Sequence, residues 1–413
     1  MKTLSGRQAE AYVKKLEQRG PADLARVEKP VRRIVDDVRK NGDRALRRYA
    51  EKLDGLAPRS PFLIPTAELK RAWKSVPAEF RAALQMAASN IRRYCEWQKP
   101  QEWRRTSLPG ISLGQVLRPL DSVGCYVPGG RYPLPSTMLM TVIPAQVAGV
   151  QRICVTSSKP VQQTLATAFF LGVRELYAVG GAQAIAALAY GTKSVRKVDK
   201  IVGPGNLYVT AAKKMVAFDC SIDFLAGPTE AALVSHGGEP RFIAADLVAQ
   251  SEHAPDTLAV FITTSAPLAE AVAAEASRAA ARNPIARTAL QKHGAILLAR
   301  SRAEAMDFAN RIACEHITVP EEDVPLVRHA GSIFVGDYSA QAAGDYASGP
   351  NHVLPTGGVA RYRGGLNVTD FLKTISLQQL SRQGIGQIGA AITCLAEAEG
   401  LEGHAESIRV RSA

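Results

Sequence analysis

Gln250-Ser251-Glu252-His253 closes an apolar run bounded by Pro240 and Pro255. The spacing predicts a helix with Phe242, Ile243, Leu247 and Val248 as its buried stripe, and with Gln250 and His253 leaving the last turn side by side. Pro240 suits a first helical turn and Pro255 ends the run. A neutral amide oxygen and an imidazole nitrogen at that spacing are half of a metal site, since zinc takes about four donors and only two are local. The plainer reading of a lone His near a helix end is a surface or capping residue. Glu315-His316, at a helix-to-strand junction, sets a carboxylate beside an imidazole, the pieces of general acid–base catalysis, or simply an exposed Glu beside a half-buried His. The polar stretch Gly344-Asp345-Tyr346-Ala347-Ser348-Gly349-Pro350-Asn351-His352 follows a strand, where loops carry function; otherwise it is a surface turn capped by Asp345. Glu399 and His404 fall in a terminal segment, a place usually tolerant of change.

The elements that must position these residues come in two arrays. Short β-rich runs at 121–127, 152–157, 175–179 and 200–202 alternate with helical stretches, and a second series follows at 231–234, 258–264, 295–299, 316–319 and 332–335. Strict alternation implies right-handed crossovers and parallel sheets covered on both faces, hence two tandem Rossmann-like α/β domains. Pro128-Gly129-Gly130, Gly180-Gly181-Ala182-Gln183 and Gly203-Pro204-Gly205-Asn206 sit just after strands of the first array, where backbone can approach a phosphate closely. The one formal dinucleotide pattern, Gly384-Ile385-Gly386-Gln387-Ile388-Gly389, follows what reads as a helix, Leu377-Gln378-Gln379-Leu380, and is set aside. Ahead of the arrays the chain reads as helices up to about Gln98, with a break at Asn41-Gly42-Asp43 and the stripe Phe80, Leu84, Ala87, Ile91 and Tyr94. Beyond Gly357 it reads as a small helical tail that must dock on its own subunit or on a partner.

Composition narrows the function classes. With 413 residues, 46% apolar and 22% charged, the chain can bury two or three substantial cores. No apolar run approaches a membrane span, and Met1-Lys2-Thr3-Leu4-Ser5 lacks the apolar core of a signal peptide, so a cytoplasmic protein is expected. Six scattered cysteines without a Cys-x-x-Cys pair argue against a disulfide framework and against a thiolate zinc site. The net charge of +13 raises nucleic acid as a partner, but the densest basic stretch, Arg32 to Arg48, interleaves acids and lacks stacking aromatics. Neither a nucleic acid nor a membrane is therefore expected as a partner. A zinc hydrolase with Glu315 as base would lack a His-Glu-x-x-His helix and leave the glycine turns unexplained.

Taken together the motifs resemble the histidinol dehydrogenase family of zinc-dependent enzymes. The matching stretches, in the family's order, are Gly124 to Gly130, Leu134 to Thr137, Gly180 to Ala184, Gly203 to Asn206, Ala226-Gly227-Pro228-Thr229-Glu230, Gln250 to His253, Glu315-His316, Gly344 to Thr356, and His404. They span roughly Val31 to Arg411. The resemblance implies Gln250, His253, Asp345 and His404 as ligands of one Zn2+ per subunit, Glu315 and His316 as the acid–base pair, and Tyr126, Gln183 and Asn206 as contacts to NAD. It implies a substrate site of Thr229, Gln250, His253, His316, Asp345, Glu399 and His404, with Glu399 and His404 delivered across a homodimer. Two neutral nitrogens, an amide oxygen and one carboxylate leave the ion net positive, a good Lewis acid.

The implied reaction is the four-electron oxidation of L-histidinol to L-histidine through an aldehyde, with water activated by Glu315 and protons handled by His316. A thiol route through Cys125 or Cys314 ranks below the water route, because neither has an activating partner except Glu315, which would raise a thiol's pKa. Thr229 stands where Ser is usual and Cys314 where Pro is usual, which keeps open a related zinc dehydrogenase of another small polar alcohol, such as a sulfonated diol. The implied organisation is a helical N-terminal arm over 1–25, a discontinuous α/β domain over 26–120 and 229–360, an NAD-contacting α/β domain over 121–228, and a helical tail over 361–413 docking on the partner subunit.

Overall fold

The computed structural model describes residues 1–20, 24–129 and 133–412, so Gly130 of the first glycine turn lies outside the described residues. In chain order the strands are β1 (Lys2–Ser5), β2 (Trp103–Leu108), β3 (Ile111–Pro119), β4 (Ser122–Tyr126), β5 (Arg152–Thr156), β6 (Glu175–Tyr177) and β7 (Lys200–Val202). There follow β8 (Ser221–Ile222), β9 (Glu230–Val234), β10 (Leu258–Thr263), β11 (Ala295–Leu298), β12 (His316–Val319), β13 (Ser332–Val335) and β14 (Leu372–Leu380).

Two parallel sheets carry the expected arrays, one ordered β6-β5-β4-β7-β8 and the other β1-β11-β10-β9-β12-β13. Apart from the added β1, both run third, second, first, fourth, fifth in their own chain order. Each thus has a switch point beside its first strand, between β4 and β7 and between β9 and β12, where crossovers leave in opposite directions and open a crevice. The apolar strand runs follow from coverage on both faces: β4, β9 and β10 are buried throughout.

Four features differ from the sequence reading. The N-terminal arm opens with β1, an edge strand parallel to β11, before the helix Gly6–Glu17; four residues are too few to show a period. The helices over 25–98, expected with 229–360, pack instead on the sheet of 121–228. Val27, Val31, Val35 and Leu46 share a core with Ala184, Leu188 and Val209, and Leu84 and Ile91 share one with Leu139 and Ile143. An amphipathic stripe shows that a helix is covered, and says nothing of which sheet covers it.

The tail is not all helix: Leu372–Leu380 is β14, paired antiparallel with β3 from Leu372↔Pro119 to Leu380↔Ile111, with β2 beyond. Mostly exposed on the monomer, β14 shows no clear alternation of apolar and polar residues. The glycine pattern at 384–389 accordingly follows a strand, inside the helix Arg382–Ala398. Its role is packing: a Cβ on Gly384 would lie 2.3 Å from the Gly110 carbonyl oxygen, and no βαβ unit is formed. The helices Arg382–Ala398 and Glu402–Ser412 pack on each other and leave Leu395, Leu401 and Val410 exposed, as are Ile375, Trp103 and Leu108 on the antiparallel sheet. Among the described residues no helix is long and apolar enough to cross a membrane.

Candidate active site

The helix Pro240–Ser251 forms as its boundary residues dictate, with Pro240 in the first turn and the Glu239 side chain accepting from the Arg241 N–H. Ile243, Leu247 and Gln250 share its buried face, whereas Phe242, expected in the stripe, is half exposed. Gln250 is therefore held under the surface. His253 lies two residues past the helix end, its ring Nδ1 3.0 Å from the Gln250 carbonyl oxygen. The Gln250 amide donates from Nε2 to Asp345 Oδ2 at 3.0 Å, and its buried Oε1 has no hydrogen-bond partner. Asp345 comes from a short helix, Gln341–Tyr346, that follows β13.

Glu315 and His316 stand at the amino end of β12, and both side chains reach the main chain of Glu230 on the neighbouring β9. Glu315 Oε2 accepts from the Glu230 N–H at 3.1 Å, and His316 Nδ1 is 3.3 Å from the Glu230 carbonyl oxygen. In the neutral ring that contact favours the proton on Nδ1, with Nε2 then the basic nitrogen. His316 Nε2 is 3.5 Å from Asp345 Oδ1, is buried, and has no hydrogen-bond partner; the ring stacks on Phe334 at 5.9 Å. Burial lifts the Glu315 carboxyl to about 8, outweighing the nearby His316 and the Glu230 N–H. Burial alone would lower the His316 imidazole, but Glu315 and Asp345 outweigh it and raise it. For Asp345 burial is outweighed by the His316 ring, and its carboxyl is held low.

These groups open into a cavity of about 510 Å³ between the sheets, lined by Gln250, His253, Glu315, His316 and Asp345 on one side and by the 203–207 turn on the other. It joins the carboxyl-end switch point of the first sheet, at β4 and β7, to the amino ends of β9 and β12. The glycines there are required by backbone crowding. Gly203 has φ of +115° and a Cβ would lie 2.2 Å from the Tyr126 carbonyl oxygen; on Gly129 it would lie 1.8 Å from that of Ser158.

Of the other expected site residues, Thr229 and Asn206 line the cavity, Asn206 also capping the helix Leu207–Val216. Tyr126 and Gln183 do not line it. Both are buried beneath the Gly180-Gly181 turn, where the Tyr126 hydroxyl accepts from the Gly181 N–H at 3.1 Å and Gln183 Nε2 donates to Asp54 Oδ2 at 2.9 Å. Glu399 and His404 are exposed on the tail, and neither lines the cavity. Among the described residues of the single chain no group of three His, Cys, Asp or Glu side chains is placed to hold a metal.

Sequence reasoning passed over His352, whose ring bridges the Asp345 carbonyl oxygen at 2.7 Å and Thr137 Oγ1 at 3.2 Å, tying the Asp345 segment to the helix Pro135–Ala148 across the cavity. Its burial lowers the imidazole, favouring the neutral form. Its place within the Gly344 to His352 motif was the available signal. Cys125 and Cys314, the thiol alternatives, are fully buried, and burial pushes both thiols far up, which disfavours the thiolate that a nucleophile needs.

The comparisons with known proteins agree over nearly the whole chain. The histidinol dehydrogenase family model matches residues 17–412. Histidinol dehydrogenase of Methanothermobacter thermautotrophicus is 43% identical over 413 residues, covering 97% of this chain and 96% of that protein. That of Haloarcula marismortui is 46% identical, covering 94% of each. The crystal structure of histidinol dehydrogenase from Elizabethkingia anophelis superposes with a TM-score of 0.94 at 34% identity, over 100% of this chain and 98% of that one. A family model spanning the chain and relatives this similar along their full lengths leave one assignment: the chain belongs to the histidinol dehydrogenase family.

Proposed function

We propose that the chain oxidises L-histidinol to L-histidine through L-histidinal, using two NAD and one water. The observation that carries this is the single cavity in which an unpartnered amide oxygen, an imidazole and a carboxylate meet a buried acid–base pair and the glycine turns of the other sheet. Gln250, His253 and Asp345 would hold zinc with His404 of a second copy; the orphaned Gln250 Oε1 and the carboxylate of Asp345 fit a cation. When bound, zinc supplies a Lewis acid for the nitrogens of the amino alcohol, and NAD supplies the hydride acceptor.

The chain's own groups do the rest. His316 Nε2, free of any hydrogen bond, takes the hydroxyl proton. Glu315, lifted to about 8, takes a proton from water as that water adds to the aldehyde. His316 then acts again on the hydrate. Asn206 holds NAD at the cavity wall, while Tyr126 and Gln183 hold it through the Gly180-Gly181 turn they support. Thr229 and, from the second copy, Glu399 hold substrate. The exposed apolar residues of the tail, Leu395, Leu401 and Val410, are the surface by which it docks on that copy.

A sulfonated diol is the weaker substrate class. Among the described residues the cavity is lined by Asp256, Glu315 and Asp345 with no Lys or Arg, which suits a cationic amino alcohol over an anion. The test is purified protein with NAD and L-histidinol, following NADH with and without a chelator. Two NADH per histidinol, abolished by the chelator, is expected; turnover of another alcohol but not histidinol would move the substrate, and no dehydrogenation at all would overturn the proposal.

A further inference from the structure

Both members of the acid–base pair are held by the main chain of one residue, Glu230, whose N–H binds Glu315 at 3.1 Å and whose carbonyl faces His316 at 3.3 Å. Glu230 lies one residue beyond the β9–β12 register, which begins at Ala231↔His316. Its peptide groups on this side are therefore spent on catalytic side chains, and the ladder to β12 does not fix their tilt.

The β10 ladder, with Leu258↔Glu230 in register and the Leu258 N–H donating to the Thr229 carbonyl at 3.0 Å, holds the strand from its other side, and the Glu230 side chain anchors the same residue from a further direction. Arg19, just past the helix Gly6–Glu17, grips the carboxylate with both prongs: Nε to Oε1 at 2.7 Å and Nη2 to Oε2 at 2.8 Å. The Gly357 N–H adds a third bond to Oε1 at 3.0 Å, and the Leu16 carbonyl orients the guanidinium through Nη1 at 2.7 Å. The pair is largely withdrawn from water, with side-chain exposures of 16% and 6%, yet neither residue lines the cavity. A planar two-pronged clamp on a carboxylate fixes direction as well as charge.

We propose that Arg19 and Glu230 are positioning residues: the clamp sets the tilt of the Glu230 peptide groups, and through them the His316 tautomer and the aim of Glu315. The N-terminal arm, remote in sequence, is in this way a working part of the site. The inference rests on the reading of Glu315 and His316 as the acid–base pair.

The test compares full-length, zinc-loaded R19M, R19K, E230Q and the double variant R19M/E230Q with wild type. In R19M and E230Q we expect kcat to fall tenfold or more, with KM for the alcohol and zinc content within twofold of wild type. R19K should fall between, since a lysine cannot make both prongs, and the double variant should regain part of the melting temperature lost in R19M, because no buried charge is left unpaired, while its kcat stays low because the clamp is still missing. A clamp that only stabilises the fold would lower the melting temperature and leave kcat of the folded protein unchanged, and kcat within twofold of wild type in folded R19M or E230Q overturns the proposal. Crystals of the metal-free variants decide it without turnover. If the Glu230 contacts to Glu315 and His316 persist unchanged in R19K and E230Q, the clamp does not position them. If wild type fails to oxidise histidinol, the reading of the reaction falls, and those crystals still settle the clamp.

Discussion

Replacing Lys213 with Met is expected to destabilise the protein by about 3–5 kcal/mol, because removing one partner of a buried ion pair strands the other charge. Lys213 and Asp223 are 3% and 1% exposed, so little water reaches either. Lys213 Nζ pairs with Asp223 Oδ1 and also donates to the Gly203 carbonyl at 3.0 Å. Asp223 Oδ2 in turn accepts from the Gly203 N–H at 2.7 Å. Met keeps the length of the lysine stem, so the loss is electrostatic and not one of packing. At roughly 2–4 °C per kcal/mol for a unit of this size, the melting temperature should drop by roughly 6–20 °C. Because both partners hold Gly203, the 203–206 turn at the cavity wall should loosen, raising KM for NAD more than it lowers kcat. Thermal unfolding by circular dichroism, with steady-state kinetics on the folded variant, reads both effects. The double variant K213M/D223N, neutral and still able to accept from one backbone N–H, should recover more than half of the lost stability. A K213M protein within 1 kcal/mol of wild type, or a double variant no more stable than K213M, would refute the reasoning.

Metal analysis of purified variants should find zinc and activity lost together in His253→Ala, whereas His316→Ala keeps the metal and loses turnover; a His253→Ala protein with full zinc would remove His253 from the ligand set. Burial raises Glu315 to about 8, and its neighbours raise His316, so in the metal-free protein both groups favour the fold when protonated. Their contribution is complete below the unfolded values and is lost as pH rises through the folded ones, so urea midpoints should fall as pH rises from about 4.5, the ordinary Glu value, to about 8, less steeply in Glu315→Gln. An identical pH slope in that variant would dismiss the buried carboxyl as its source. Cys125→Ser and Cys314→Ser should retain kcat within a few-fold of wild type, since both thiols are fully buried; loss of burst or steady-state NADH in a folded variant would reopen the thiol route.

The sequence by itself determined the two arrays, because a strand buried on both faces must be apolar and must be followed by a turn: β7 and β12 begin and end where the pattern places them. It also determined where Gly129 and Gly203 had to be, since no side chain fits between those backbones. Tertiary structure alone decided what covers what. The helices over 25–98 cover the sheet of 121–228, β1 joins the edge of the other sheet, and β14 builds an exposed antiparallel sheet with β3, because a period reports that a face is buried or paired and never names its partner. The same limit applies at the site. Gln250, Glu315 and Asp345 are recognisable as types at suggestive positions, but the orphaned Oε1, the lifted carboxyl and the clamp from Arg19 arise only when the fold brings Gln250 onto Asp345, Glu230 onto Glu315 and Arg19 onto Glu230, in the desolvated space in and beside the cavity. Desolvation and hydrogen-bond direction are properties of that space, and no spacing along the chain encodes them.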